Sequence, residues 1–340
     1  MERVGFGVIG AGLFGENHAL VYSRLPGVEL VAVCDQNEAR AKEVAERYGA
    51  RGWYTDYEEV LADPEIAAVS IATPDFAHSE IALAAARAGK HILCEKPLAT
   101  TVEEAQAIVD AAAQVGVTLM VDFHNRVNPP FVAAREQVRS GAIGTPSYGY
   151  ARLSNTTFVP LEMLSWANRT SALYFLGSHA VDIMRFILDD TIVRVQAVSR
   201  SGILHGLGVD APDFHVAIAE FARGAVVTFE HAWILPQSQP MVYDFTVELL
   251  GSEGAIYLNP SHHGAVELHT GGRLNYGDVL GVTPTSDLRV GGFVLEAIAR
   301  FADAVLHGRP VLATGEDGLE ATRIVAAIER SAETGQPVEV

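Results

Sequence analysis

The stretch VGFGVIGAGLFGENHALVYSRLPGVELVAVCD, residues 4–35, decides the fold of this chain. It begins with a continuous apolar run, Val4–Ile9, which is typical of a strand buried on both faces of a parallel sheet. A glycine-rich turn follows, and then a helix predicted over Gly15–Leu25 and a second strand over Glu29–Cys34. A strand, a glycine turn, a helix and a second strand together predict a βαβ unit with parallel strands.

The turn after the first strand reads GAGLFG and matches the GxGxxG pattern. Gly10 permits a tight turn, Gly12 lets the backbone approach a pyrophosphate, and Gly15 lets the helix pack close to the strand. Leu13 and Phe14 lie at the start of the helix, where unpaired N–H groups attract phosphate. The pattern alone is weak, but its position between a strand and a helix predicts that these five residues bind a dinucleotide cofactor.

Asp35 ends the second predicted strand. A carboxylate at this position accepts hydrogen bonds from the adenosine ribose and would repel a 2′-phosphate, so the sequence favours NAD over NADP. Arg40 could soften that preference, although a solvent-exposed helix charge is its ordinary role. Thr73 and Pro74 follow a later strand and are expected to line the nicotinamide half of the crevice, although a plain strand-to-helix turn explains them equally well.

Strand and helix patterns alternate through the first third of the chain, which predicts an α/β Rossmann domain with a doubly wound parallel sheet over residues 1–124. The later segments have the pattern of antiparallel strands, interrupted by a helix at Gly177–Leu188. They predict an α+β domain with an open, largely antiparallel sheet over residues 125–340. Helices close the chain from Phe293 onwards, and the C-terminal helix is free to pack back on the first domain. The run Leu258–Asp287 is predicted to be loop with short strands.

Composition limits the class of protein. The formal net charge is −18, and a surface of that charge repels the phosphate backbone of nucleic acids. No stretch reaches the ~20 apolar residues of a membrane-spanning helix, and the N-terminus has no signal-peptide pattern. Only Cys34 and Cys94 are present, and the loop pair His262 and His263 has no third ligand at a useful spacing, so neither a disulfide framework nor a metal site is predicted. We expect a soluble, cytoplasmic protein that binds neither nucleic acid nor a membrane.

The run CEKPLA, residues 94–99, resembles the EKP signature of the glucose–fructose oxidoreductase and inositol dehydrogenase family, known as Gfo/Idh/MocA. Three further runs resemble the family in the same order along the chain: SIATPDFAH at 70–78, GSHAVD at 177–182 and PVLATGEDGL at 310–319. Together with the glycine turn, the resemblance covers essentially the whole chain.

The resemblance implies NAD or NADP as cofactor and a sugar, polyol or related cyclic hydroxy compound as substrate. It implies a homodimer or homotetramer formed through the open sheet of a substrate-binding second domain. By motif, it implies that Lys96 reaches the reacting carbon–oxygen bond, often with a cis peptide before Pro97. It also implies that His179 transfers the proton and that Asp182 lies nearby.

The chemistry of alcohol oxidation favours the same side chains. A lysine ammonium stabilises a developing alkoxide, and a histidine takes or gives the hydroxyl proton near neutral pH. The predicted catalytic residues are Lys96, His179 and Asp182. The predicted cofactor-binding residues beyond the glycine turn are Asp35, Thr73, Pro74, His78, Glu95 and Lys96. The predicted substrate-binding residues are Lys96, Arg126, Trp166 and His179, although domain-interface packing explains Trp166 equally well.

One position departs from the family pattern. Polyol-oxidising members carry aspartate four residues before the histidine, and this chain has Phe175 there. We therefore expect His179 to act as a neutral base, with Asp182 as a substitute carboxylate and Tyr174 as the nearest other proton donor. Two alternatives to a dehydrogenase stay open: a non-catalytic dinucleotide-binding sensor, and a reductase of C=C or C=N bonds. The retention of both Lys96 and His179 favours chemistry over sensing.

Overall fold

The computed structural model of the chain describes residues 3–262, 264–270, 273–283 and 291–340. The chain forms two compact units. The first consists of Met1–His124 and Leu280–Glu320, and the second of Asn125–Val279 and Ala321–Val340. His263, and residues 284–287 at the end of the run predicted as loop, lie outside the described residues. No described helix is long and apolar enough to cross a membrane.

The first unit contains a parallel sheet of six strands in the order β3-β2-β1-β4-β5-β6. Its strands are β1 (Val4–Ile9), β2 (Val28–Cys34), β3 (Gly52–Tyr54), β4 (Ile66–Ile71), β5 (His91–Cys94) and β6 (Leu119–Val121). Its helices are α1 (Leu13–Tyr22), α2 (Glu38–Tyr48), α3 (Tyr57–Ala62), α4 (His78–Arg87), α5 (Val102–Val115) and α9 (Phe293–His307). The strand order reverses between β1 and β4, which confirms the doubly wound Rossmann sheet predicted from the sequence.

Two features of the first unit differ from the prediction. The short elements β3 and α3 were not predicted, because three and six residues are too few to show a period. Helix α9 belongs to the first unit, whereas the sequence division placed everything after residue 124 in the second. The rings of Phe6 and Phe301 meet edge to face at 6.1 Å, and Leu295 and Ile298 join the same core. A doubly wound sheet needs apolar cover on both faces, and α9 supplies part of it.

The second unit contains a mixed, mostly antiparallel sheet of seven strands in the order β12-β11-β7-β10-β9-β8-β15, in which β7 and β10 are parallel. Its strands are β7 (Pro146–Asn155), β8 (Ile192–Arg200), β9 (Phe214–Phe221), β10 (Val226–Ala232), β11 (Tyr243–Gly251), β12 (Ala255–Leu258) and β15 (Val338–Glu339). The pair β13 (Glu267–Thr270) and β14 (Arg273–Tyr276) forms a separate hairpin within the run predicted as loop. Its helices are α6 (Pro129–Arg139), α7 (Ser178–Leu188), α8 (Ile203–Gly206) and most of α10 (Gly315–Thr334).

Among the described residues, the core of the second unit covers one face of its larger sheet. Ala217 and Val227 face inward and share a core with Met184 of α7. The opposite face carries apolar side chains that stay about half exposed, among them Ile218 and Val198. The open, largely antiparallel sheet predicted from the sequence is therefore confirmed.

Candidate active site

The glycine turn has the geometry that a phosphate cradle requires. Gly10 adopts a φ of +93°, which favours glycine, and a β-carbon there would lie 2.5 Å from the carbonyl oxygen of Ala72. A β-carbon on Gly15 would collide with the carbonyl oxygen of Gly10. A β-carbon on Gly12 would meet nothing within 4 Å, so open space lies in front of the start of α1 at Leu13. The turn therefore leaves room for an anion at the N-terminus of this helix.

The carboxylate of Asp35 lies beside this turn. Its Oδ2 accepts a hydrogen bond from the backbone N–H of Ala11 at 2.8 Å, and its Oδ1 accepts one from Asn37 N–H at 2.8 Å. The nearby Arg40 donates to the carbonyl oxygen of Ala11 at 2.7 Å. These bonds hold the carboxylate and the guanidinium at the end of β2, where a Rossmann domain receives the adenosine ribose.

The charge of Arg40 is already balanced by acidic side chains. Its guanidinium forms a short hydrogen bond with Glu16 and another at 3.0 Å with Glu43. Arg47 forms a short bond with the same Glu16. Burial acts to raise the pKa of Glu16. The hydrogen bonds from Arg40, Tyr48 and Arg47 outweigh it, so the pKa of Glu16 is lowered overall. Both arginines are thus engaged by carboxylates rather than presented to a phosphate.

The turn after β4 is tied to the EKP turn by one histidine. His78 is buried, and its ring nitrogens face the carbonyl oxygens of Pro97 at 2.7 Å and Thr73 at 2.9 Å. The predicted cofactor residue His78 therefore fixes two loops by backbone contacts. Pro74 precedes the short 3₁₀ turn Asp75–Ala77 at the same place.

Lys96 follows β5 directly, and only 8% of its surface is exposed. The peptide bond between Lys96 and Pro97 is cis, as the family resemblance implies. Burial lowers the pKa of Lys96, while the negative charges of Glu95, Asp75 and Asp122 act to raise it. A cation held in this way near the carboxyl ends of the strands is suited to stabilise a developing negative charge.

Glu95 is buried and hydrogen-bonded inside the first unit. Its Oε1 lies 3.2 Å from His18 Nε2, and His18 Nδ1 lies 2.9 Å from Ser70 Oγ. The hydroxyl of Tyr22 is 2.5 Å from the same Ser70 oxygen. The structure thus gives Glu95, predicted as a cofactor ligand, a set of internal polar partners. Asp122 lies beside them with its Oδ2 4.0 Å from His18 Nε2.

His124 lies close to the glycine turn. Its ring stacks on Phe14 at 6.2 Å between centroids and tilts against Phe293 at 5.5 Å. Burial, opposed by the charge of Glu95 and assisted by that of Lys96, lowers the pKa of His124 to about 4. This histidine is therefore neutral around pH 7.

The remaining predicted residues belong to the second unit. His179 is buried in the first turn of α7, and a π-helical turn, Leu173–Gly177, runs directly into that helix. Single π-helical turns occur frequently at functional sites. The extra residue in such a turn changes which side chains share a face with His179, so Phe175 cannot be placed by ordinary helical spacing.

Asp182 is paired with Arg126. Its Oδ2 accepts from Arg126 Nε at 2.9 Å and its Oδ1 accepts from Nη2 at 2.6 Å. The Asp182 side chain is 1% exposed and the Arg126 side chain 10%. This is a buried bidentate ion pair, a geometry that fixes both side chains. The structure therefore joins a predicted catalytic residue to a predicted substrate-binding residue.

Aromatic rings surround the position where polyol-oxidising members of the family carry aspartate. Phe175 meets Trp166 edge to face at 6.1 Å and Trp233 at 6.0 Å. The hydroxyl of Tyr174, considered above as an alternative proton donor, donates instead to Glu329 at 2.6 Å. Trp166 thus lies within an aromatic cluster of the second unit, beside the π-helical turn.

Four polar residues of the cluster around Glu95 were not predicted from the sequence: His18, Tyr22, Ser70 and Asp122. Ser70 and Asp122 offer a weak signal, because each is a polar residue in or directly after an apolar strand. His18 and Tyr22 are four residues apart on α1 and share one helix face. Polar residues on the buried side of elements that meet at one sheet edge are the pattern that would have identified this cluster.

Comparison with known proteins matches both units. The family model described as oxidoreductase family, NAD-binding Rossmann fold, matches residues 4–123, and the GFO/IDH/MocA C-terminal domain model matches residues 131–257. Levoglucosan dehydrogenase of Pseudarthrobacter phenanthrenivorans is 30% identical, over 98% of this chain and 97% of the relative. The scyllo-inositol 2-dehydrogenase (NAD(+)) of Bacillus subtilis is 28% identical, over 100% of this chain and 97% of the relative.

A solved structure extends this similarity to three dimensions. GenD2 from gentamicin A biosynthesis, in complex with NAD, superposes with a TM-score of 0.86 at 29% identity. The match covers 100% of this chain and 97% of GenD2. The similarity in sequence and the similarity in structure therefore both extend over the two units.

Proposed function

Because the chain belongs to the Gfo/Idh/MocA family of oxidoreductases, we propose that it transfers a hydride between NAD and the hydroxyl-bearing carbon of a sugar, polyol or related cyclic hydroxy compound. The observation that carries the proposal is the buried Lys96, which follows β5 at the same sheet edge as the glycine turn. That edge is where open α/β sheets bind their ligands.

The residues around the glycine turn support NAD rather than NADP. Asp35 places a carboxylate at the end of β2, and Glu16 and Glu43 balance the charge of Arg40. A 2′-phosphate would meet negative charge without a guanidinium ready to pair with it. When bound, NAD supplies the hydride acceptor, and Gly10, Gly12 and the start of α1 hold its pyrophosphate.

Two side chains supply the proton chemistry in this proposal. Lys96 stabilises negative charge on the substrate oxygen as the hydroxyl proton leaves. His179 takes that proton in the oxidative direction and returns it in the reductive direction. The Arg126–Asp182 ion pair holds the next turn of α7 in place, so we assign Asp182 a positioning role rather than direct proton transfer.

The relatives indicate the substrate class. Levoglucosan and scyllo-inositol, named in two of them, both carry secondary hydroxyl groups on a ring. Phe175 lies four residues before His179 in sequence, and its ring meets those of Trp166 and Trp233 in an aromatic cluster of the second unit. Aromatic rings suit the apolar C–H face of a sugar or polyol ring, and Phe175 and Trp166 remain partly exposed within the cluster, so we favour a substrate that presents such a face.

A substrate panel tests the proposal directly. The purified protein is incubated with NAD and, separately, with inositols, aldoses, anhydro sugars, deoxy sugars and hydroxy acids, while nicotinamide absorbance is followed. In the reverse direction NADH is offered with ketones and with compounds that contain C=C or C=N bonds. Oxidation of a ring hydroxyl is the expected result. Reduction restricted to C=C or C=N bonds, or tight NAD binding with no turnover, would overturn it.

The exposed sheet face supports a homo-oligomer. Ile218, Val198 and Tyr148 lie on one face of the larger sheet of the second unit and are 45–49% exposed. A monomer would leave this apolar surface in water. We propose a homodimer or homotetramer formed through this face, and a monomeric mass by light scattering at micromolar concentration would contradict it.

The proposed location is the cytoplasm. Cys34 and Cys94 are both free thiols and both buried, which fits a reducing compartment. Fractionation of cells that express the full chain tests this, and recovery with membranes or outside the cell would contradict it.

A further inference from the structure

One consistent direction of hydrogen bonding can run through the polar cluster inside the first unit. Burial raises the pKa of Tyr22, so its phenol keeps its proton and is able to donate to Ser70 Oγ at 2.5 Å. In that arrangement Ser70 donates to His18 Nδ1 at 2.9 Å, and a neutral imidazole carries its proton on Nε2. His18 Nε2 then donates to Glu95 Oε1 at 3.2 Å. The chain of donors ends on the Glu95 carboxylate.

Glu95 is well provided with donors. Besides His18, the backbone N–H of Lys96 points to its Oε2 at 3.4 Å. Burial acts to raise the pKa of Glu95, but the His18 hydrogen bond and the nearby charge of Lys96 outweigh it and lower that pKa. Glu95 is therefore the ionised member of the cluster.

Asp122 is in the opposite situation. Its side chain is fully buried, and among the described residues no N–H or hydroxyl group donates to either of its oxygens. His18 Nε2 and His124 Nδ1 are the nearest basic nitrogens, each 4.0 Å from Oδ2. One carboxylate oxygen each from Asp122 and Glu95 and one ring nitrogen of His18 all lie within 4.8 Å of one another. A second carboxylate next to Glu95 would be fully buried without a donor among the described residues to stabilise it.

We propose that Asp122 is a protonated carboxylic acid that donates its proton to Glu95, so that the pair carries one negative charge opposite Lys96. Burial, together with the charge of Glu95 and the hydrogen bond to it, raises the pKa of Asp122 well above its usual range, and the charge of Lys96 only partly opposes this. Two carboxyl groups held side by side in a buried site share one proton for the same reason.

The shared proton sets the charge that Lys96 experiences. The titratable groups that act on Lys96 in the first unit are Glu95, Asp75 and Asp122, and His18 and His124 lie within the same cluster. Ionised Asp122 would add a second full negative charge beside Lys96 and weaken its hold on a developing alkoxide. Asp122 is then a positioning residue for Lys96, and this consequence rests on the proposed function.

Infrared spectroscopy tests the protonation without any substrate. The wild-type chain at neutral pH should show the carbonyl band of a protonated carboxylic acid that shifts in D₂O and is missing from Asp122→Asn. Asp182→Asn is the matched control, because it removes a buried carboxylate paired with arginine and should leave the band in place. Identical acid carbonyl regions in wild type and Asp122→Asn would overturn the proposal.

Thermal unfolding gives a second test with a definite sign. The folded-state pKa of Asp122 is raised, so the stability linked to its proton is fully present below the unfolded-state pKa of about 3.9 and is lost progressively as pH rises from there to the folded-state pKa. The amide of Asn can donate to Glu95 as the acid does. Asp122→Asn, which cannot titrate, should therefore melt close to wild type near pH 4 and at or above the melting temperature of wild type at neutral and alkaline pH. If the melting temperature of Asp122→Asn falls far below that of wild type at neutral pH, as expected for removal of an ionised counter-ion, the proposal is overturned.

Turnover and metal content complete the test. With a substrate from the panel, Asp122→Asn should keep turnover within about 3-fold at neutral pH, whereas Glu95→Gln should lose at least about 10-fold, a change of ~1.4 kcal/mol. In the reductive direction the turnover of Glu95→Gln should recover on acidification. Without the negative charge of Glu95, Lys96 loses its proton more easily and is an ammonium only at lower pH. One tightly bound metal ion per chain, lost in Asp122→Asn, would overturn the proposal. An inactive protein that still shows the acid band would refute the proposed function alone.

Discussion

Buried acidic side chains have different surroundings in the two units. In the first unit Glu95 and Asp122 lie together, and one of them is surrounded by donors while the other has none among the described residues. In the second unit Asp182 is held by two hydrogen bonds from Arg126, at 2.6 and 2.9 Å. The first arrangement can change its charge by releasing a proton, whereas the second pairs a carboxylate directly with a guanidinium by two hydrogen bonds. Buried carboxyl groups in one chain thus serve a titratable site and a fixed ion pair.

The largest expected effect is the loss of turnover when His179 is removed from the second unit. His179→Ala should lower turnover by about 10²–10⁴-fold, the usual contribution of a general acid or base, and should abolish the fall in oxidative rate on acidification. The measurement is a pH–rate profile for both proteins with a substrate from the panel. The exposed His307→Ala is the control and should leave the profile unchanged. If His179→Ala keeps its rate and its acidic limb, the second unit does not supply the proton.

Neutralising one member of the fixed ion pair should destabilise the second unit strongly. Asp182→Asn leaves the buried Arg126 without its counter-charge, which costs about 3 kcal/mol or more. Asp189→Asn is the matched control at the other end of α7, where the side chain is 67% exposed and pairs weakly with Arg135. Denaturant unfolding measures both variants. Equal stabilities would show that the ion pair is as dispensable as the surface pair.

The effect of Lys96 should be somewhat smaller. Lys96→Ala removes the cation of the first unit and should lower turnover by ~100-fold, with NAD affinity nearly unchanged. Lys90→Ala is the matched control, because Lys90 lies at the opposite end of β5 and donates to the carbonyl oxygens of Asp63 and Ile66. Lys90→Ala should lower the stability of the protein but leave the turnover per folded molecule unchanged. Unchanged turnover in Lys96→Ala would remove this lysine from the mechanism.

The smallest expected effect concerns the cofactor. The wild-type chain should bind NADH at least ~10-fold more tightly than NADPH, about 1.4 kcal/mol, because the Asp35 carboxylate would repel a 2′-phosphate and Arg40 is engaged by Glu16. Asp35→Ser should narrow that ratio. Calorimetry measures all four dissociation constants, and equal constants in the wild type would refute the assignment of Asp35.

Local patterns predicted most of the fold. The run Val4–Ile9, the glycine turn and Asp35 fix a strand, a turn and a second strand by residue type alone, and the structure places each within two residues. Alternating burial in β9 likewise follows directly from its sequence, Phe214–Phe221. The return of α9 to the first unit was not predictable in this way, because its apolar side fits either core.

The candidate site was predicted less completely for a physical reason. Lys96 and His179 are found by motif, since their neighbours in sequence form the signature. The partners of Glu95 are distant in sequence: His18 lies on α1 and Asp122 follows β6. Only the parallel sheet brings the ends of these elements together, so their association depends on strand order and not on spacing along the chain.

The position of α9 has a consequence for how the protein is made. Phe6 near the start of the chain and Phe301 near its end share one core, so closing that core joins residues almost 300 positions apart. During synthesis the first sheet must therefore wait, with one apolar patch uncovered, until the second unit and α9 have left the ribosome. Such long-range closure makes for slow folding. A fragment that ends at residue 124 would lack this cover altogether, and it should aggregate rather than fold as an independent dinucleotide-binding domain.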